Sequence, residues 1–216
     1  MLRYIVMNQG KGVQLDKVKG CGVLPVARAG KGSVMFLLGR EQMFKGWKGS
    51  GKYADFGGGI DKGENVLECA AREGYEESMG FLGSKEDIRK KVVPGSEGFI
   101  DGFIHPAGSE HMVIAIKIYY NKYMPSVFKD VFEYITRCAK KIPEGKYVIK
   151  SCPEGYLEKD EVRWFGYDEL KKMVENEDNR LRPYFARCLK VMFNKYGQER
   201  DMIAKWGEKK WVKGDK

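Results

Sequence analysis

A chain of 216 residues, 43% hydrophobic and 12% aromatic, can bury a substantial core and suits one domain with extensions. Its five cysteines are scattered without a Cys-x-x-Cys pair, and there are only two histidines. That argues against a disulfide framework or a zinc site and for reduced thiols in a cytoplasmic protein. No apolar run approaches the roughly 20 residues that cross a bilayer, and residues 1–10 are too short and too polar for a secretory leader, so no membrane partner is expected. The net charge of +9, from 39 Lys+Arg against 30 Asp+Glu, suits a polyanionic partner carrying several phosphates.

Taken in order, residues 2–7 read as a short strand or arm. Residues 21–27 and 33–38 are apolar runs separated by Arg28-Ala29-Gly30-Lys31-Gly32, which reads as a β-hairpin. Pro25 within the first run predicts that part of it lies at an edge or a bulge. Residues 45–52, KGWKGSGK, form a glycine-lysine loop in which Lys45, Lys48 and Lys52 are candidates for reaching substrate phosphates. The loop imitates a P-loop, with Gly51-Lys52 four residues after Gly46. Tyr53 stands where a Mg²⁺-binding Ser or Thr is required, however, and a glycine turn follows in place of a helix. Asp55-Phe56-Gly57 likewise imitates the kinase metal-binding triplet without its partners.

Residues 57–80 read GGGIDKGENVLECAAREGYEESMG, a glycine turn that continues as a helix. Asn65 predicts an N-cap, with Glu68 completing a capping box. At about 100° per residue, Arg72, Glu73, Glu76 and Glu77 fall on one side of the helix. Leu67, Ala70, Ala71 and Gly74 fall on another, where small residues let the helix lie close to a sheet. Carboxylates on adjacent turns repel one another, an objection that a hard divalent cation such as Mg²⁺ or Mn²⁺ removes. Read from Gly58, the order is Gly, five residues, Glu64, seven residues, Arg72-Glu73, two residues, Glu76-Glu77. This resembles the Nudix box, G-x5-E-x7-R-E-U-x-E-E-x-G-U with U apolar. The chain departs from it at Gly74, which stands at the apolar position after Arg-Glu, and at Gly80, which closes the box one residue late.

After the box, residues 84–91 read as a polar connection of one or two helical turns. Residues 98–104 and 111–120 read as paired strands across the turn His105-Pro106-Ala107-Gly108-Ser109. His105 and His111 have no nucleophile motif beside them and read as turn and strand residues. In residues 126–141, Val127, Val131, Ile135, Cys138 and Ile142 recur at helical spacing, predicting an amphipathic helix that Pro143 ends. This helix lies in an insertion, about residues 121–150, that a minimal Nudix domain does not need; a lid or a substrate wall would account for it. Glu161-Val162-Arg163-Trp164-Phe165 and then Asp168-Glu169-Leu170 resemble the closing strand and helix start of Nudix proteins. In a C-terminal helical extension, about residues 180–216, Pro183 fits a first turn, and Phe185, Leu189, Phe193 and Tyr196 make an apolar stripe. The tail interleaves Trp206 and Trp211 with lysines, a composition that suits stacking on bases or a terminal helix alike.

The resemblance implies an α/β fold, a Nudix-type α/β/α sandwich with a mixed sheet, and a metal-dependent pyrophosphohydrolase. It implies metal ligation by Glu73, Glu76 and Glu77 with the Gly57 carbonyl, and Mg²⁺ or Mn²⁺ as the cofactor. Arg72 would hold the glutamates in place and Glu64 would orient Arg72. The base would be Glu76 or an acid from a later loop, with Glu158, Asp160 and Glu161 as candidates. The expected substrate is a nucleoside diphosphate-linked phosphoanhydride. The box variant and added segments look like Nudix proteins of large DNA viruses, which favours the 5′ cap of mRNA. A diphosphoinositol polyphosphate or a dinucleoside polyphosphate is the alternative. An inactive Nudix-fold RNA-binding module is a third reading, and the intact Glu64, Arg72, Glu73, Glu76 and Glu77 argue against it.

Overall fold

The computed structural model describes residues 4–5, 13–14, 17–30, 32–104, 110–141, 143, 145, 147–149 and 152–205. The N-terminal strands β1 (Tyr4–Ile5) and β2 (Val13–Gln14) pair with each other. Next come β3 (Gly20–Ala29), β4 (Ser33–Glu41), β5 (Tyr53–Ala54) and β6 (Phe56–Gly59), then α1 (Val66–Glu77) and α2 (Lys85–Lys91). β7 (Phe99–Ile104) and β8 (His111–Lys117) precede α3 (Met124–Arg137) and the small pair β9 (Lys140–Lys141) and β10 (Tyr147–Val148). A 3-10 turn, Glu154–Leu157, leads into β11 (Lys159–Gly166), α4 (Tyr167–Glu175), α5 (Pro183–Lys195) and α6 (Glu199–Lys205).

The main sheet has seven strands in the order β11-β4-β3-β8-β7, with β5 on β4 and β6 on β3. It is mixed: β3 and β8 run parallel, and the other pairs are antiparallel. β3 and β4 pair only near their hairpin, from Val26 opposite Phe36 to Ala29 opposite Ser33. Beyond that they diverge, and β5 and β6 fill the gap between them.

This divergence explains Pro25, which lies in a central strand and not at the edge the sequence suggested. The Val26 carbonyl accepts from Ile118 N on the β8 side, so Pro25, one residue earlier, faces the antiparallel side. There β3 changes partner from β6, last paired at Val23, to β4, first paired at Val26. A missing N–H is tolerated at such a gap.

Helices cover both faces of the sheet. On one, α1 packs on β3, and a Cβ at Gly74 would lie 2.8 Å from Val23 Cγ2. The glycine at the box's apolar position therefore permits close approach. On the other, Phe36 meets Tyr167 of α4 and Phe193 of α5, with ring centroids 6.4 and 6.2 Å away. The late closing glycine is absorbed by two left-handed residues, Met79 at φ 51° and Gly80 at φ 79°, with Gly80 N donating to the Tyr75 carbonyl at 2.8 Å.

α2 is a full helix, capped by Ser84 and Asp87 in a reciprocal box. α3 starts two residues before the predicted 126 and stops at Arg137, well short of Pro143, because the chain turns into β9. Its buried side is Phe128 and Phe132, while Val127 is 45% exposed. Two phenylalanines bury more apolar surface than a valine stripe, and they set the helix's rotation. Ile142, His105, Lys31, Trp206 and Trp211 lie outside the described residues. Among the described residues no helix is long and apolar enough to cross a membrane.

Candidate functional site

α1 begins where the sequence predicts. Asn65 Oδ1 accepts from Leu67 N at 3.0 Å and Glu68 N at 3.1 Å, and Asn65 N donates to Glu68 Oε2 at 2.9 Å. Glycines let β6 approach the helix and its neighbour strand. A Cβ on Gly57 would sit 2.4 Å from Gly22 Cα, and one on Gly58 would sit 2.4 Å from Glu73 Oε1. Side chains there would push the strand off the carboxylates.

Arg72 gathers the acids. Its Nε donates to Glu64 Oε1 and its Nη2 to Glu64 Oε2, both at 2.9 Å, while Nη2 also reaches the Gly59 carbonyl at 2.8 Å. Nη1 lies 2.8 Å from Glu73 Oε1 and 3.5 Å from Glu76 Oε2. Such a two-pronged grip on Glu64 fixes the guanidinium plane. Lys85 Nζ lies 3.0 Å from Glu76 Oε1. The Gly57 N–H donates to Glu77 Oε2 at 2.6 Å.

Behind these acids lies a buried ion cluster that the sequence did not reveal. Lys159 Nζ sits 3.2 Å from Glu77 Oε1 and 2.7 Å from Glu41 Oε1, and Arg182 Nη1 is 2.8 Å from the same Glu41 oxygen. Burial opposes the Lys159 charge, but Glu77 and Glu41 outweigh it and hold the ammonium above the ordinary lysine range. Burial pushes the Glu77 carboxyl well above its usual range, with Lys159 opposing. Arg182 also stacks on Trp47 and Tyr184, 5.0 and 4.6 Å from their ring centroids. Tyr184 in turn donates to buried Asp55 at 2.8 Å, whose other oxygen lies 3.0 Å from His111 Nε2. His111 is thus a strand residue that ties β8 to the segment opening the box.

Glu73 is the acid with the least compensation. Burial raises it, Arg72 opposes, and the Glu158 and Glu76 carboxylates raise it further, to about 7. Glu158 is therefore close enough to act on the cluster, and it is half-buried. Asp160 and Glu161 are engaged elsewhere: Arg40 lies 2.8 Å from Asp160 and 3.0 Å from Glu161, which also accepts from Tyr53 Oη. Of the three later acids, Glu158 is the one whose charge acts on Glu73.

Among the described residues no preformed group of three or more His, Cys, Asp or Glu side chains converges as a metal site. The oxygens of Glu73, Glu76 and Glu77 are turned to Arg72, Lys85, Lys159 and Gly57 N instead. The donor set still fits a hard divalent ion, because it offers only oxygens and the carboxylates of Glu64, Glu73, Glu76 and Glu77 outnumber the Arg72, Lys85 and Lys159 cations that touch them.

Lys45 and Lys48 are exposed and Lys52 is half-buried, all on the loop between β4 and β5. None of them lines the adjoining cleft. That cleft, of about 90 Å³, is lined by Glu41, Gln42, Phe44, Trp47 and Glu158. Phe44 and Trp47 stack with centroids 4.8 Å apart and planes 10° apart. From this loop the sequence suggested only the lysines; two aromatics three residues apart were the one signal for the pair, and nothing local pointed to its place beside Glu158.

The family model for the NUDIX domain matches residues 17–188. The chain belongs to the Nudix family. Several solved structures are similar in fold. RenU, a Nudix hydrolase from M. smegmatis, is 13% identical, with a TM-score of 0.45 over 90% of this chain and 95% of its own. An Ap4A hydrolase from C. elegans is 14% identical, with a TM-score of 0.42 over 83% of this chain and 98% of its own. A MutT protein from Methanosarcina mazei Go1 is 23% identical, with a TM-score of 0.39 over 86% of this chain and 99% of its own. Among curated proteins, no match was found.

Proposed function

We propose that this Nudix protein is a divalent-metal-dependent pyrophosphohydrolase that cuts a phosphoanhydride bond in the 5′ cap of mRNA. The observation that carries this reading is the juxtaposition of an aromatic cleft with the box acids through Glu158. A methylated guanine is a flat cation, and the outer face of Phe44, on the far side of its stack with Trp47, attracts flat cations. Its N–H edge is donor-rich, and a carboxylate such as Glu158 is the matching acceptor. A nucleotide stacked there would extend its phosphates toward Glu73, Glu76 and Glu77.

Mg²⁺ or Mn²⁺, held by Glu73, Glu76 and Glu77 with the Gly57 carbonyl, would supply phosphate charge neutralisation and a more acidic water. The chain's own residues do the rest. Arg72, fixed by Glu64, keeps Glu73 and Glu76 in register. Lys85 adds positive charge at the rim, and Lys48 and Lys52 extend it toward the leaving phosphates. Glu76 would take the proton from water, which leaves Glu158 to the guanine edge. This function would be carried by one domain in the cytoplasm, consistent with Cys21, Cys69, Cys138, Cys152 and Cys188 forming no disulfide among the described residues.

The test is incubation with Mg²⁺ or Mn²⁺ and a panel of cap-labelled RNA, dinucleoside polyphosphates and diphosphoinositol polyphosphates. Release of a methylated nucleoside diphosphate from capped RNA is expected. Turnover of the small polyphosphates alone would overturn the cap reading.

A further inference from the structure

α3 shows two unlike faces. Phe128 and Phe132 are buried, Phe128 against Phe81 and Phe132 against Tyr147, with ring centroids 5.5 and 6.4 Å apart. Tyr123, Val127 and Tyr134 fall on one outward stripe at helical spacing and are 62%, 45% and 69% exposed. Tyr119, just ahead of the helix, is 70% exposed. A run of bared aromatics of this kind marks a contact surface.

The charges around the stripe say what it contacts. Lys122 Nζ lies 4.8 Å from the Tyr123 ring centroid, and Lys141 Nζ lies 5.4 Å from that of Tyr147. Lys140 is exposed beside them. The acids on the helix are Asp130 and Glu133, and Glu133 is already 3.8 Å from Lys129. The surplus is positive, so the surface complements a polyanion. Aromatics interleaved with lysines suit a single strand, whose bases are free to stack while its phosphates pair with the ammonium groups. The Lys141 end of the surface adjoins the cleft, since Tyr147, whose ring lies under Lys141, donates from its N to Gln42 Oε1 at 2.8 Å and Gln42 lines the cleft with Glu158.

We propose that the outward face of α3, with Tyr119, Lys122, Lys140 and Lys141 at its ends, is the path of a single-stranded RNA body whose 5′ end occupies the cleft. The proposal rests on the capped-RNA reading above and extends it to the inserted helix.

The experiment measures affinity for an uncapped single-stranded RNA against salt in metal-free buffer. It uses the full chain, a Lys122→Ala/Lys140→Ala/Lys141→Ala variant and a Tyr123→Ala/Tyr134→Ala variant. Melting temperature and Mg²⁺-dependent turnover of a free cap dinucleotide are followed alongside. At about −0.7 in log–log slope per phosphate contact, the lysine variant should be shallower by about 2. The tyrosine variant should bind about tenfold or more weakly at every salt. Both should melt as the wild type does and cleave the dinucleotide at its rate. Slopes and affinities equal to wild type would overturn the path while leaving cap cleavage standing. A wild type that ignores RNA but self-associates in sedimentation, with the tyrosine variant monomeric, would also overturn it and make the face a protein contact. Loss of RNA affinity in both variants, with no turnover of any capped substrate, would uphold the path and sink the cap reading alone.

Discussion

Lys159 Nζ lies 3.2 Å from Glu77 Oε1, and neither side chain reaches solvent, with exposures of 0% and 2%. The pair joins the last residue of α1 to the first residue of β11. A lysine in such a place is a fixed cation that holds one glutamate of the box.

Lys159→Met removes that cation and leaves Glu77 and Glu41 facing each other in the interior. Removing one partner of a buried pair costs about 3–5 kcal/mol, and denaturant unfolding should show a loss of that size. The same variant should regain more stability from added Mg²⁺ than wild type does, because the ion replaces the lost charge. Unaltered unfolding would show that the pair is neutral in solution.

Arg72→Ala should lower turnover and weaken Mg²⁺ binding without changing which phosphate bond is cut. Arg72 touches Glu64, Glu73 and Glu76, so its loss loosens the acids and leaves the substrate's register to the cleft. Product identification by mass spectrometry decides the matter. A new product pattern would place Arg72 on the substrate.

Glu73 gives a pH dependence. Its ordinary value of 4.5 rises to about 7 through burial and then the Glu158 and Glu76 charges, against Arg72. Between these values the fold holds a proton that the unfolded chain has released, so stability of the metal-free protein falls as pH climbs through the window. A divalent ion that needs ionised Glu73 displaces that proton. The melting-temperature gain from Mg²⁺ over chelator should therefore grow as pH rises toward about 7 and level off above it. A gain independent of pH would remove Glu73 from the ligand set.

Phe44→Ala tests the cleft. Stacking of a base on an aromatic is worth about 1–3 kcal/mol, so kcat/KM for capped RNA should fall about tenfold or more. Turnover of a diphosphoinositol polyphosphate, which has no base, should be unchanged. Equal losses on both would mean that Phe44 acts through Trp47, on which it stacks.

Much of the site was legible because its information is local. The capping box at Asn65 and the Arg72-Glu73-x-x-Glu76-Glu77 spacing lie within one helix, where the α-helical period settles which side chains meet. Pro183 and the Phe185, Leu189, Phe193 stripe were legible for the same reason, and they form α5 with those residues buried. Lys159 was not legible, because it is buried by Glu41, 118 positions away in the chain, and a strand-leading lysine ordinarily faces water. The rotation of α3 was legible only in part: Val131 and Ile135 pack against the core as read, while Val127 and Cys138 face out because the Phe128 and Phe132 pair takes the deeper positions. Pro25 misled because its tolerance depends on two other strands diverging beside it.

The central claim is that the box acids act with a divalent metal on a phosphoanhydride of capped RNA. Its most direct test is release of methylated nucleoside diphosphate from cap-labelled RNA by wild type, Glu76→Gln and Glu77→Gln, in Mg²⁺ and in excess chelator. The account predicts product from wild type in Mg²⁺ alone and a loss of about 10²-fold or more in either folded variant, the scale set by acid–base and charge-stabilising groups. Wild-type release that persists in chelator, or variants that match wild type, would contradict it.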